Sequence, residues 1–389
     1  MKVLDLGEFY SERGGGVRSY LSKLVRMADA LDHEIVVVAP GPRDELTREG
    51  NAGRIIRYAA PRMPYDPSYH WPWRIDRMRA ICRKERPDVV QVSSPYIPAA
   101  VAATLRSVPV RSYVYHSDPI GCYVRRFSRG LPSMAERAVM ASAWGWMRAV
   151  CNAGDVTVVS GHWLERALKQ KGCRNAVAVP FGIRHEDFGP ERRSETLRRR
   201  LLGRHADAPE SLLLLVAGRL AFDKRQALVA AGVRRFAEET GRPVALCVLG
   251  TGPARADIEA AARGIEVTFL PFTRDREEYA EILATADALV HGSMCETYGF
   301  VLAETLASGT PVVAPDEGGA SALAVPSCSE RYPAFGGPEA IANAIERLLA
   351  RPLASLRAGA LALASEQPPA EQHFHDLFAL YDRLLHRKR

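Results

Sequence analysis

The 389-residue sequence has few of the features that mark secreted, membrane or metal-binding proteins. Its seven cysteines are odd in number, widely spaced and form no Cys-x-x-Cys pair, which argues against a disulfide framework or a zinc knuckle. No stretch approaches the roughly 18 uncharged apolar residues that a transmembrane helix needs. Asp5 and Glu8 interrupt the apolar start of the chain, where a secretory signal would be continuous, so we expect a cytoplasmic protein.

A second absence concerns metal chemistry. The sequence contains no Asp-x-Asp, the carboxylate pair that commonly holds a divalent metal against a nucleoside diphosphate. We therefore expect neither a metal site nor a resident cofactor. Apolar residues make up 47% of the chain and charged residues 25%. These are ordinary globular values, which exclude a disordered chain, a collagen-like fibre and a coiled coil.

The charge is unevenly distributed along the chain. Residues 1–200 hold 33 basic and 21 acidic side chains, whereas residues 201–389 hold 19 and 24. All five tryptophans also lie in the basic half, at Trp71, Trp73, Trp144, Trp146 and Trp163. The function must account for a basic, tryptophan-bearing half beside an acidic one.

Short apolar runs alternate with longer amphipathic stretches throughout, which predicts an α/β protein with doubly wound parallel sheets. The rhythm pauses at about 183–210 and then restarts, so we predict two Rossmann-like domains, at 1–185 and 205–368. In such sheets ligands bind at the carboxyl ends of the strands, and with two domains we expect the site in the cleft between them. The predicted strands are Lys2–Leu6, Ile35–Ala39, Arg54–Tyr58, Val89–Val92, Val110–Tyr115, Val156–Ser160, Ala176–Val179, Leu212–Ala217, Val244–Leu249, Glu266–Leu270, Ala288–His291 and Pro311–Ala314.

The densest signal is the segment Ala286–Gly319, ADALVHGSMCETYGFVLAETLASGTPVVAPDEGG. It predicts a strand, a loop, and a helix that begins near Tyr298-Gly299-Phe300 and ends at Ser308-Gly309. Glu296 precedes the helix and Glu304 lies within it, seven residues further on. The free N–H groups and the dipole at a helix N-terminus favour an anion.

At these residues the sequence resembles the retaining nucleotide-sugar glycosyltransferases of family 4, which have the GT-B fold. The likeness continues in Val216-Ala-Gly-Arg-Leu-Ala-Phe-Asp-Lys224 and Val248-Leu-Gly-Thr-Gly-Pro253, in the N-terminal Gly14-Gly15-Gly16, and in Val114-Tyr-His-Ser-Asp118. It also includes Val179-Pro-Phe-Gly-Ile183 and a last helix at His373–Leu385, within about 370–389, which in GT-B proteins packs back on the N-terminal domain. The resemblance implies an acceptor-binding N-terminal domain and a donor-binding C-terminal domain.

The resemblance also implies roles for single residues. Arg219 and Lys224 would hold the donor diphosphate, Glu296 the hydroxyls of the sugar, and Glu304 those of the ribose, while His116 would contact the donor sugar. The implied catalytic set is His116, Glu296, Arg219 and Lys224. The implied donor-binding residues are Gly15, Gly16, Gly218, Gly252, Tyr298, Gly299, Phe300, Val301 and Glu304.

Four positions stay open at this stage. The family usually has glycine after the lysine, and Arg225 either adds a third cation here or points to solvent. Asp118 either orients His116 or begins an Asp-Pro turn. His291 belongs either to the site or to the core, and Glu317-Gly-Gly319 is predicted to line the nucleotide side.

The basic half predicts the acceptor. Residues 51–150 hold 16 basic and 6 acidic side chains. They include Arg125-Arg-Phe-Ser-Arg129, which the amphipathic stretch Ser133–Val150 follows. Lys and Arg with Trp beside an apolar face are typical of proteins on anionic membranes. We expect a lipid-linked or anionic acceptor and peripheral contact with the inner face of the cytoplasmic membrane. A solvated basic face with buried tryptophans is the alternative.

Other functions are weighed against this one. A nucleotide-sugar epimerase of GT-B fold, a glycosyltransferase with a small soluble acceptor and a non-enzymatic nucleotide-sugar binder remain possible. A nucleic-acid partner is not expected, because the C-terminal half is acidic and no reader motif occurs. The donor is a UDP- or GDP-hexose, and the sequence does not choose between them.

Overall fold

A computed structural model describes residues 1–10, 16–64 and 69–388, which form two compact units. The first comprises Met1–Phe181 with Ala370–Arg389, and the second Gly182–Pro369. The first unit contains an eight-stranded sheet. Its strands are β1 (Lys2–Leu6), β2 (Glu34–Gly41), β3 (Glu45–Glu49), β4 (Gly53–Ala59), β5 (Val89–Val92), β6 (Val110–Val114), β7 (Val156–Val159) and β8 (Ala176–Ala178).

The strands of this sheet lie in the order β3-β4-β2-β1-β5-β6-β7-β8, and all neighbours are parallel except β3 and β4. The central strands are buried on both faces, which explains their nearly continuous apolar sequences. The helices of the unit are α1 (Gly16–Ala30), α2 (Ile75–Glu85), α3 (Ile97–Thr104), α4 (Arg125–Ser128), α5 (Ser133–Ala153) and α6 (His162–Gln170), with a π-helical turn at Ile120–Val124.

The second unit contains a six-stranded parallel sheet. Its strands are β9 (Leu212–Ala217), β10 (Val244–Leu249), β11 (Glu266–Leu270), β12 (Ala288–Val290), β13 (Val312–Pro315) and β14 (Ser329–Tyr332). Its helices are α7 (Glu195–Leu202), α8 (Gln226–Thr240), α9 (Arg255–Ala261), α10 (Arg276–Thr285), α11 (Phe300–Ala307), α12 (Gly319–Leu323), α13 (Pro338–Leu349) and α14 (Leu353–Ser365).

The strand order of the second unit is β11-β10-β9-β12-β13-β14, the doubly wound Rossmann order. The chain winds outward in opposite directions from β9 and β12, so the switch point lies between these two strands. Ligands of such sheets bind at the carboxyl ends of the strands beside the switch point. The loops that follow β9 and β12 are therefore the place to look for a site.

The last helix, α15 (Gln372–His386), packs in the first unit. Nδ1 of His373 lies 3.0 Å from the carbonyl oxygen of Val179, and its Nε2 lies 3.1 Å from the Tyr20 hydroxyl. Because a carbonyl only accepts, Nδ1 carries the proton and Nε2 accepts from Tyr20. Tyr381 donates toward Gln91 on β5 and meets Ser112 on β6, so the helix is fixed by buried polar contacts as well as by apolar ones.

The structure differs from the predicted organisation in two respects. Residues 186–204 were left between the predicted domains, but they belong to the second unit because α7 buries Leu197, Leu201 and Leu202 there. Strands β3 and β14 were not predicted, since both are edge strands with polar sequences, ELTRE and SERY, that need only one buried face.

Candidate functional site

The site of the second unit is built on the loops after β9 and β12. A single 3₁₀ turn, Phe222–Lys224, follows β9 and carries Lys224. Glu296 lies on the loop between β12 and α11, and its Oε1 is 2.5 Å from Nζ of Lys224. Two residues that are 72 positions apart thus meet at the switch point, as the fold requires of a ligand site.

His291 completes this cluster. Its Nε2 lies 3.5 Å from the same Oε1 of Glu296. The backbone of His291 is held on both sides, since its N–H donates to Val313 and its carbonyl accepts from the hydroxyl of Tyr332 at 2.7 Å. The structure therefore places His291 at the site, next to Glu296, and not in the core alone. The sequence had left both positions open.

Glu296 is held as a carboxylate. Burial alone would favour the neutral acid, but the charge of Lys224 and the ring of His291 outweigh it. Together they hold the pKa of Glu296 well below its usual range. An ionised carboxylate only accepts hydrogen bonds, so Glu296 is suited to bind hydroxyl groups.

Two glycines fix the loop that carries Glu296. The N–H of Gly319 donates to the carbonyl of Glu296 at 2.5 Å. A Cβ at Gly319 would lie 2.8 Å from that oxygen, and a Cβ at Gly318 would lie 2.5 Å from the carbonyl oxygen of Met294. The Glu317-Gly-Gly segment, predicted to line the nucleotide side, thus supports the loop by close backbone contact.

Helix α11 begins as predicted. Gly299 adopts a left-handed conformation, φ 92°, immediately before Phe300, and Leu302 is the first residue to bond back to the carbonyl of Gly299. The N–H group of Val301, which precedes Leu302, consequently has no partner within the helix. Tyr298 is buried and its hydroxyl donates to Gln367 at 3.2 Å.

Glu304 lies further along α11, and side chains of α10 hold it. Its Oε2 accepts a hydrogen bond of 2.8 Å from the Tyr279 hydroxyl, and its Oε1 is 3.8 Å from Nη1 of Arg276. Nothing in the sequence pointed to these partners, because they lie 25 and 28 positions away on a different helix.

Arg219 and Arg225 take different positions after β9. The Arg219 side chain is 65% exposed and pairs with Asp223 at 3.4 Å. Arg225 neither joins the cations nor points to solvent, because its Nη1 donates to the carbonyl of Ala334 at 2.6 Å. It adopts φ +54°, the left-handed conformation that the glycine usual at this position would adopt without strain.

The glycines at the ends of β9 and β10 serve close backbone packing. A Cβ at Gly252 would lie 2.2 Å from the carbonyl oxygen of Leu220, so only glycine fits there. Gly218 has φ +127° but open space around its Cα, so its need for glycine is conformational. The close contact of Gly252 and the backbone conformation of Gly218 explain the two glycines without a ligand.

In the first unit, the His116 ring lies edge-on to Tyr20, with 4.5 Å between ring centroids. Burial, helped by His373, lowers the pKa of His116 to about 3, so the imidazole is neutral at physiological pH. Asp118 does not orient it. Its Oδ1 accepts from the N–H groups of Ile120 and Gly121 and from the Tyr115 hydroxyl, which is the turn alternative. Gly16 begins α1, and the predicted Gly15 lies outside the described residues.

The first unit also exposes an apolar and basic surface on the segment 123–146, which we call the α4–α5 surface. Helix α5 has 21 residues, of which only Met147 and Cys151 are buried. Phe127 and Met134 are each 75% exposed, and Trp146 stacks on Tyr96. Of the five tryptophans, Trp71, Trp73 and Trp146 are exposed, so the alternative of buried tryptophans is wrong for these three.

Known proteins match both units. The model for Glycosyltransferase Family 4 matches residues 14–187, and the model for Glycosyl transferases group 1 matches residues 211–351. A GDP-mannose-dependent alpha-(1-6)-phosphatidylinositol dimannoside mannosyltransferase of Mycobacterium tuberculosis is 28% identical over 361 residues, 90% of this chain and 88% of the relative. A GDP-mannose-dependent alpha-mannosyltransferase of Corynebacterium glutamicum is 26% identical over 328 residues, covering 82% and 73%.

The solved structure of sucrose-phosphate synthase from Thermosynechococcus elongatus is similar in fold, with a TM-score of 0.75, 20% identity and full coverage of both chains. The fold and the matched models together define a glycosyltransferase with the GT-B fold. The chain belongs to the family 4 glycosyltransferases. The comparisons support a sugar-transferring enzyme of glycolipid or glycan synthesis and give no support to the epimerase alternative.

Proposed function

We propose that the protein transfers a hexosyl unit, with retention of anomeric configuration, from a nucleoside diphosphate sugar to a lipid-linked acceptor. The observation that carries this proposal is the Lys224–Glu296 pair at the switch point of the second unit. GDP-mannose is the proposed donor, because relatives in two bacterial genera are named for it. A UDP-hexose is the other donor that the sequence left open.

The cations would meet the charge of the leaving diphosphate. Lys224 carries an ammonium group with N–H donors beside Glu296, and a point charge of this kind suits phosphate oxygens. Among the described residues, the Arg219 side chain pairs with Asp223 at the surface, a contact worth about 0.2–1 kcal/mol, so it can exchange that partner for phosphate at little cost. Arginine offers phosphate a bidentate fork that lysine lacks.

The carboxylates of the site would accept hydrogen bonds from the hydroxyls of the donor. Glu296 is an ionised acceptor beside the cation that would hold the diphosphate, so we assign it to hydroxyls of the transferred sugar. Glu304 is assigned to the ribose. The N–H groups at the start of α11 would add fixed dipoles against the developing negative charge. The role of His116 toward the sugar stays a prediction.

We further propose that the reaction needs no metal and no resident cofactor. The sequence has no Asp-x-Asp, and among residues 1–10, 16–64 and 69–388 no cluster of three or more His, Cys, Asp or Glu side chains has the spacing to hold a metal. Lys224 and Arg219 supply the positive charge that a metal would otherwise bring. Activity that persists in excess EDTA is expected, and full loss with recovery by Mg²⁺ would contradict this part.

The α4–α5 surface is proposed to contact an anionic membrane at the inner face of the cytoplasmic membrane, where a lipid acceptor would be found. Phe127 and Met134 project apolar side chains into solvent, and Arg126, Arg129 and Arg137 lie among them with exposed side chains. This combination suits a lipid headgroup region. Within the described residues, no helix is long and apolar enough to cross a membrane, so the contact would be peripheral.

The experiment that tests the donor class is a thermal-shift panel of GDP, UDP and ADP with their hexose conjugates. A ligand that binds the native protein stabilises it according to its concentration and dissociation constant, by about 2.7 kcal/mol at 100 times that constant. We expect selective stabilisation by GDP and GDP-mannose. Selective stabilisation by UDP would transfer the proposal to UDP-hexoses, and no stabilisation by any of them would contradict it.

A further inference from the structure

We infer that Tyr279 is a positioning residue for Glu304, and that the first turn of α10 thereby sets how strongly the enzyme binds the ribose of its donor. The inference rests on the proposed function, in which Glu304 accepts from ribose hydroxyls. It adds a second helix to the nucleotide site, which the Glu-x7-Glu motif does not indicate.

The first turn of α10 is itself fixed. Asp275 precedes the helix, and its carboxylate accepts from the N–H groups of Glu277 and Glu278. Arg276 and Tyr279 are three positions apart and therefore share one face of α10. That face meets Glu304 of α11.

Arg276 is anchored from its other side. Its Nε and Nη2 donate to Oδ2 of Asp187 at 2.9 and 2.5 Å, and its guanidinium lies 5.3 Å from the centroid of the Phe188 ring. Phe188 also contacts the ring of Tyr279 edge-on, at 6.2 Å. The two side chains that approach Glu304 are thus held by contacts that do not depend on Glu304.

The contacts from α10 orient the carboxylate of Glu304. A carboxylate has about four acceptor positions on its two oxygens. Tyr279 occupies one on Oε2, and Arg276 lies 3.8 Å from Oε1. The Glu304 side chain is 16% exposed, so its carboxylate is accessible to a bound molecule. Vicinal hydroxyls, such as the 2′ and 3′ hydroxyls of a ribose, match the two oxygens.

The tyrosine acts only as a donor. Burial, followed by the neighbouring charge of Glu304, raises the pKa of Tyr279 well above its usual value. The hydroxyl therefore stays protonated at any physiological pH, and a carboxylate can only accept from it. This contact fixes the carboxylate plane before any nucleotide arrives.

The test compares the affinity for a nucleoside diphosphate with that for its 2′,3′-dideoxy form, by calorimetry, with GDP and UDP pairs run in parallel. The ratio of the two dissociation constants measures how well the ribose hydroxyls are read. We expect Glu304→Gln to bring this ratio close to one and Tyr279→Phe to reduce it about tenfold, the size of one hydrogen bond to a charged group. The double variant should be no worse than Glu304→Gln alone.

The controls separate positioning from folding. Tyr381→Phe removes another buried hydroxyl, from the first unit, and should leave the ratio unchanged. Arg276→Gln changes a half-exposed side chain and should lower the ratio less than Tyr279→Phe, which keeps the test open if that variant does not fold. If Glu304→Gln reduces the ratio and Tyr279→Phe leaves it unchanged, the inference about Tyr279 is overturned, while the ribose role of Glu304 stands. An unchanged ratio in Glu304→Gln would overturn the ribose role on which it rests.

Discussion

Nζ of Lys224 lies 2.5 Å from Oε1 of Glu296, although the two residues follow different strands of the sheet. The pair joins the proposed phosphate cation to the proposed sugar acceptor before any donor is bound. The charge of Lys224 helps to keep Glu296 ionised, because an opposite charge at this distance favours the carboxylate. The site is therefore preorganised for a ligand that carries phosphate and hydroxyl groups side by side.

The first prediction concerns Lys224. Lys224→Ala should lower kcat/KM on the order of 10²–10³-fold, as loss of one preorganised charge-stabilising donor typically does. Lys224→Arg keeps the charge and should retain more activity. Lys388→Ala removes a paired lysine of the first unit and should leave turnover unchanged. Steady-state kinetics with the donor identified by the thermal-shift panel provide the measurement, and full activity of Lys224→Ala would refute the role.

The second prediction is a change in pH dependence. Activity requires ionised Glu296, whose pKa Lys224 helps to hold low, so the wild-type enzyme should stay active well into acid. Removing the lysine raises this pKa, and the acid limb of the kcat/KM profile should move to higher pH in Lys224→Ala. Lys224→Arg should keep the limb near its wild-type position. An acid limb that does not move would show that Glu296 titrates independently of Lys224.

The third prediction concerns the glycine behind the loop. A Cβ at Gly319 would meet the backbone of Thr297 at 2.7 Å, so Gly319→Ala should displace Glu296 and reduce activity far more than it reduces stability. Gly337→Ala is the matched control, because a Cβ at Gly337 would meet open space. Gly337 precedes the first turn of α13, where alanine lowers the free energy of unfolding by about 1 kcal/mol. Equal activity of the two variants would contradict the proposed support of the loop.

The fourth prediction separates strain from contact at Arg225. Both Arg225→Gly and Arg225→Ala lose the hydrogen bond to Ala334, but only alanine retains the strain of the left-handed conformation. The glycine variant should be more stable than the alanine variant by about 1 kcal/mol, the reverse of their order in a helix. Hydrogen exchange of the β9 amides measures the difference, and a more stable alanine variant would mean that the local backbone is not left-handed.

The fifth prediction tests the α4–α5 surface. Sedimentation with anionic vesicles at low salt should carry down more protein than sedimentation with neutral vesicles. Phe127→Ser with Met134→Ser should weaken this binding roughly tenfold or more, since each side chain would bury its apolar area in the interface. Phe272→Ser changes another exposed ring, in the second unit, and should have no effect. Equal binding to neutral and anionic vesicles would contradict the proposed contact with an anionic membrane.

The sequence was a good guide to the strands and a poor guide to cross-chain contacts. Apolar runs such as Leu212–Ala217 became β9 with the same bounds, because a strand buried on both faces must be continuously apolar. Edge strands β3 and β14 carry no such run. The motif located Glu296 and Glu304, whereas their partners His291 and Tyr279 depend on packing between elements, which no local pattern encodes.

Two local ambiguities were resolved by hydrogen bonds that only a folded chain can show. Asp118 proved to accept from the backbone of the turn that follows it. Arg225 proved to bind the carbonyl of Ala334, more than a hundred positions away. In both cases the sequence showed a residue type with several plausible partners, and the tertiary structure selected one.

The most direct test of the central claim is transfer itself, followed by NMR of the anomeric proton. The purified enzyme is incubated with GDP-mannose or UDP-glucose and with anionic vesicles that contain a glycolipid acceptor. The account predicts release of the nucleoside diphosphate, an α-linked hexose on the lipid, and loss of both in Lys224→Ala. A β-linked product would contradict retention. Transfer that continues undiminished in Lys224→Ala, or no transfer from either donor, would contradict the account.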